Sequence, residues 1–60
     1  MFVQYEVWGV LDGFEELFEC FGTLKEAEAF VEANLEFHDE MYILEDTDED
    51  LKEIQRHKGL

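Results

Sequence analysis

The sequence predicts a small α+β domain, an antiparallel sheet in β-β-α-β order with a C-terminal helix. Three observations carry that class. Two β-rich runs flank an Asp-Gly pair, a capping box opens an apolar stripe of helical spacing, and a short apolar run follows it. A net charge of −13 on 60 residues favours disorder taken alone, but 47% of the chain is hydrophobic and 15% aromatic, which argues for a packed core. Residues 1–60 are expected to form one domain, a β-β-α-β unit over 1–45 and an acidic turn with a helix over 46–60.

The first two strands are Phe2 to Trp8 and Glu15 to Phe21, rich in aromatic and β-branched residues. Asp12-Gly13 between them suits a two-residue type I′ turn, although a longer loop through Gly9 or Phe14 is an alternative. With the tight turn, Leu11 faces Phe14, Val7 faces Phe18 and Tyr5 faces Cys20 on the side that also carries Val3. The other side pairs Trp8 with Leu17, Glu6 with Glu19 and Gln4 with Phe21. A slip of one residue would exchange the two faces.

Thr23-Leu24-Lys25-Glu26 reads as a capping box. Leu24, Ala27, Val31 and Leu35 follow at helical spacing, widened by Phe30, and should pack on the Val3/Tyr5/Val7 side of the hairpin. Asn34 and the Phe37-His38-Asp39 stretch end the helix. Met41-Tyr42-Ile43-Leu44 is too short for a helix and suits a third strand. Thr47 or Asp48 would cap a second helix over residues 48–57. Leu51 and Ile54 would be its apolar anchors, and Lys52, Arg56, His57 and Lys58 would lie toward its end, where the dipole favours them.

Composition narrows function. Seventeen acids against four bases disfavour direct binding to nucleic acid or an anionic membrane. No apolar run approaches the roughly 20 residues of a membrane span. The single Cys20 and the lack of a secretory signal suggest a reducing, cytoplasmic setting. With no internal disulfide and too few ligands for a closed zinc site, a chain this short is expected to gain stability as a homodimer.

Catalysis and metal binding are not expected. Cys20 reads as a buried core residue, and the chain has no serine for His38 or His57 to activate. Asp46-x-Asp48-x-Asp50 opens like a calcium loop. However, Leu51 stands where that loop needs glycine and His57 where it needs a bidentate glutamate. No cofactor motif is present.

Binding is better supported. Trp8, Leu17 and Phe21 share the side assigned away from the first helix, interleaved with Glu6 and Glu19. Exposed aromatics rimmed by charge mark interfaces, with a partner, a second copy or the C-terminal helix as possible cover. Glu28, Glu32 and Glu36 recur every four residues, about 6 Å apart along a helix. This is an evenly spaced anionic row of the kind a DNA strand presents. Lys52, Arg56 and Lys58 lie beyond residue 51, so the first 51 residues hold every acid but Glu53 against Lys25 alone.

The order of residues 1–45 and the aromatic–acid interleaving of Glu16-Leu17-Phe18-Glu19-Cys20-Phe21 resemble the small acidic DNA-mimic inhibitors of bacteriophages. Those closest in size and element order are the dimeric inhibitors of uracil-DNA glycosylase. The resemblance implies a protein that occupies the DNA groove of a basic DNA-binding enzyme in a bacterial host. Glu6, Glu19 and the Glu28/Glu32/Glu36 row would replace phosphates, and Trp8, Leu17 and Phe21 would form an apolar contact. The segment 45–58 departs from that family's plan, so CRISPR and restriction nucleases stand beside the glycosylase as targets. The alternative is an assembly protein whose aromatic surface joins copies of itself and whose acidity serves solubility.

Overall fold

A computed structural model describes residues 2–59. It is an α+β fold of four antiparallel strands and one helix in the order β1 (Val3–Leu11), β2 (Phe14–Phe21), α1 (Leu24–Asn34), β3 (Glu40–Thr47) and β4 (Leu51–Lys58). A single 3-10 turn, Leu35–Phe37, follows α1. The sheet order is β2-β1-β3-β4, so β2 and β4 are the edges. Among the described residues no helix is long and apolar enough to cross a membrane.

The first hairpin closes as the Asp-Gly pair requires. Asp12 and Gly13 both have positive φ, 53° and 84°, as a type I′ turn demands. Leu11 pairs with Phe14 and Trp8 with Leu17. Beyond Trp8 the expected register fails, because β2 contributes one extra residue opposite the step from Val7 to Trp8. That bulge carries Phe18 into the core. Every later pair moves by one: Val7 meets Glu19, Glu6 meets Cys20 and Tyr5 meets Phe21. Cys20 is therefore exposed rather than inward-facing, and Phe21 packs under the helix, 5.5 Å from the Phe30 ring centroid.

The helix starts where the capping box sets it. Thr23 Oγ1 accepts from the Glu26 backbone N–H at 3.2 Å and donates to Glu26 Oε1 at 2.9 Å. Ala27 and Val31 are fully or almost fully buried against Val7, Met41 and Ile43. Leu24, Phe30, Leu35, Tyr5, Phe18, Phe21 and Ile54 close the margins of this core. Full burial of a valine or isoleucine side chain contributes about 1.5–3 kcal/mol, so these few residues dominate the stability of so short a chain.

The expected C-terminal helix is instead β4, antiparallel to β3. The acidic block is a hairpin turn rather than a helix cap. Thr47 Oγ1 accepts from the Glu49 and Asp50 backbone N–H groups at 3.3 and 3.2 Å, and the Thr47 N–H donates to the Asp50 carbonyl at 2.8 Å. β4 also carries an extra residue, opposite the step from Ile43 to Leu44, which turns Ile54 onto the core. Val7 and Ile43 are register partners, so the two bulges, on opposite edges of the sheet, flank this one rung from its two sides.

Gly9 faces the Phe18 ring so closely that a Cβ there would run into it. Gly9→Ala is expected to lower stability by about 1–3 kcal/mol, read as a lower urea midpoint with the slope unchanged. Gly22→Ala is the control, because a Cβ there meets nothing within 4 Å. Equal midpoints for the two variants would contradict the packing of Phe18 over Gly9.

Candidate binding surfaces

The helix covers one face of the sheet, and the other face carries a row of four side chains, one per strand. Leu17, Trp8, Tyr42 and Arg56 are successive register partners across β2, β1, β3 and β4. The Trp8 and Tyr42 rings are nearly parallel, 7° apart in plane and 6.2 Å between centroids. The Arg56 guanidinium carbon lies 4.5 Å from the Tyr42 ring centroid, a cation–π distance. Leu17, at the β2 end, is 45% exposed and leaves that end of the row apolar.

Acids on both sides of the row bind it. The Trp8 indole Nε1–H donates to Glu6 Oε1 at 3.0 Å, and the Tyr42 hydroxyl donates to Glu15 Oε1 at 2.6 Å. Arg56 donates from Nη1 to Glu40 at 2.9 Å and from Nη2 to Glu53 at 2.8 Å. These bonds keep the guanidinium firmly protonated and hold the Glu53 carboxyl below its usual range. Both partners are substantially exposed, so each pair adds geometry more than stability.

The expected site residues therefore separate. Glu6, Trp8 and Leu17 share the open face. Phe21 lies on the opposite face, in the core margin, and is withdrawn from the surface set. Glu19 is exposed, but it pairs with Val7 rather than standing opposite Glu6. Burial, then the charges of Glu6, Glu19 and Asp46, push the Cys20 thiol up. A raised thiol is a poor nucleophile.

Glu28, Glu32 and Glu36 are all exposed. They do not form one row on the far side of the helix. Glu28 and Glu32 flank a groove of about 280 Å³ between α1 and β4, floored by Val31 and Leu35. Glu28 accepts from Gln55 Nε2 at 2.7 Å, and the Gln55 carbonyl oxygen lies 2.9 Å from His57 Nε2. Glu36 falls in the 3-10 turn, where the spacing changes. Among the described residues no cluster of three or more metal-ligating side chains is present.

Tyr42, itself buried in the row, and Arg56, Glu15, Glu40 and Glu53 around it were not foreseen in this arrangement. Period-two alternation from the core residues Met41 and Ile43 places Tyr42 on the open face, and that signal was available. Arg56 becomes legible only once β4 is a strand. No match emerges from comparison with known protein families, curated proteins or solved structures.

Burial, then the hydrogen bond and charge of Glu15, push the Tyr42 phenol up to about 12, with Arg56 opposing. Folding favours the protonated phenol. Its contribution to stability is therefore complete below about pH 10, the ordinary value, and is lost as pH rises through about 12. In a Tyr5→Phe chain Tyr42 is the only tyrosine. Its ionisation, followed by near-ultraviolet absorbance, is expected close to that raised value, and Glu15→Gln should move it down. An ordinary value in the Tyr5→Phe chain would show that the hydroxyl is not held by Glu15.

Proposed function

We propose that the protein is an acidic, non-catalytic binding module that occupies the nucleic-acid groove of a basic enzyme and blocks it. The target class is a uracil-DNA glycosylase or a CRISPR or restriction nuclease, in the cytoplasm of a bacterial host. The distribution of bases carries this reading. Apart from Lys25, every lysine and arginine lies on β4, and Arg56 there is already bound by Glu40 and Glu53. The first hairpin, with Asp12, Glu15, Glu16 and Glu19, carries no base, nor does the helix flank of Glu28, Glu32 and Glu36. Solubility needs far less net charge than this. Such a surface speeds encounter with a basic groove and rejects acidic partners.

The test is capture of nucleic-acid enzymes from bacterial lysate on the immobilised protein, followed by duplex competition and an activity assay. Recovery at low salt is expected to fall steeply by about 0.5 M salt, where the Debye length is only a few ångströms. Duplex DNA should displace the captured enzyme. Charge reversal at Glu28, Glu32 and Glu36 together should abolish inhibition with the circular dichroism unchanged, because all three are exposed. Recovery of no nucleic-acid enzyme at low salt would refute the reading.

The open face supports a second reading. It is the sheet face away from the helix, with half-buried Trp8 stacked on Tyr42, which Arg56 covers, a surface on which a second copy can pack to form the homodimer. Sedimentation separates the two. Trp8→Ala should convert a dimer to monomer if this face joins copies, and an unchanged oligomer counts against that interface.

A further inference from the structure

The β1–β2 hairpin tip and the segment after α1 enclose a cleft of about 200 Å³, on the helix side of the sheet. Its lining is Gly9, Leu11, Phe14, Glu16, Phe18 and His38. Sites for small molecules run to about 300–1,000 Å³, so this one has the size of a side chain.

The lining has a consistent chemistry. Phe14 is 80% exposed, more than any other large apolar residue among the described residues, and with Leu11, its register partner, it forms an apolar rim. Phe18 supplies a second ring, fixed by the bulge and by an edge contact with His38 at 4.9 Å. Gly9, with no side chain, lets the Phe18 ring lie directly on the strand at the base of the cleft. His38 Nδ1 lies 3.0 Å from the Asn34 carbonyl oxygen, which can only accept, so Nδ1 carries the proton. The His38 ring carbon Cδ2 lies beside Gly9, 3.2 Å from where a Cβ would stand. Glu16 adds a carboxylate, which accepts no hydrogen bond among the described residues. No lysine or arginine lines the cleft. Two phenyl rings, a carboxylate and an imidazole edge therefore line a space that holds no cationic side chain.

We propose that this cleft receives a single arginine side chain from a partner protein, with the guanidinium against Phe14 and Phe18 and its N–H groups on Glu16. The proposal rests on reading the protein as an acidic binding module and names the group by which the partner is held. Arginine fits better than lysine. Its planar cation stacks on rings, bonds a carboxylate in fork geometry and is less strongly hydrated than an ammonium. The cleft lies on the face away from Trp8 and Tyr42, so its occupation is independent of the open-face row.

The test uses the isotope-labelled full chain and three short Gly/Ser peptides that carry one arginine, one lysine or one citrulline. The arginine peptide is expected to shift the amide resonances of Gly9, Phe14, Glu16, Phe18 and His38 at low salt. The lysine peptide should bind more weakly and the uncharged citrulline peptide not at all. Glu16→Gln should weaken binding about tenfold, as loss of a charge-assisted hydrogen bond does. Phe14→Ala should also weaken it while leaving the fold intact, because the ring is exposed, and the amide spectrum itself checks the fold. Glu49→Gln removes the same charge in the β3–β4 turn and should change nothing. Shifts spread over the acidic surface, equal binding of citrulline, or equal loss in Glu16→Gln and Glu49→Gln would overturn the proposal. Capture of an enzyme without peptide binding rejects the cleft and leaves the module reading standing. Peptide binding without capture does the reverse.

Discussion

The fold depends on one apolar contact, that of a single short helix with the two central strands. Ala27 and Val31 meet Val7, Met41 and Ile43, and each of these five is buried. No disulfide or described metal cluster shares the load. A helix of 11 residues is too narrow to cover four strands. The edges must therefore bring apolar groups inward, and the bulges do this by turning Phe18 and Ile54 under the helix margins. A bulge also increases local twist. The two bulges flank the central Val7–Ile43 rung, so both edges deliver their apolar group close to the buried centre of the sheet.

Those same insertions set the limit of what could be read from the residues. The Asp-Gly turn, the capping box and the stripe from Leu24 to Leu35 were legible because each is a local signal with a local cause. The pairing beyond Trp8 was not, since nothing in Leu17-Phe18-Glu19 marks where the ladder gains a residue. The C-terminal strand was misread because Leu51 and Ile54 stand three apart, a spacing that suits one face of a helix. In a strand it puts the two on opposite faces, Leu51 on the open face and Ile54 in the core. A strand's period of two survives only while its register does. The candidate surface inherited these errors: Phe21 and Cys20 exchanged faces with one slip, while Trp8 and Leu17, on the turn side of it, and Glu6, on the unbulged strand, kept theirs.

The two faces differ in how their charges are balanced. On the open face, Glu6, Glu15, Glu40 and Glu53 each accept a hydrogen bond from the central row. Carboxylates fixed in this way present a defined arrangement of oxygens rather than a diffuse cloud. On the helix side, Glu16 and Glu32 border grooves with apolar floors. An acid beside an apolar floor matches an amphipathic cation, whose stem is apolar and whose head is charged. The open face can thus serve as a rigid platform, and the grooves as places where individual basic side chains are held. Both are complementary in charge to a basic surface.

Trp8 has a consequence of another kind. It is the only tryptophan in the chain, and it sits in the middle of the row, stacked on Tyr42 and bonded to Glu6. Its emission therefore reports the polarity of one face alone. A body laid over the row changes the colour of that light, whereas an occupant of the hairpin-tip cleft, on the far side of the sheet, leaves it as it was. The fold carries its own optical label for which of its two sides is engaged.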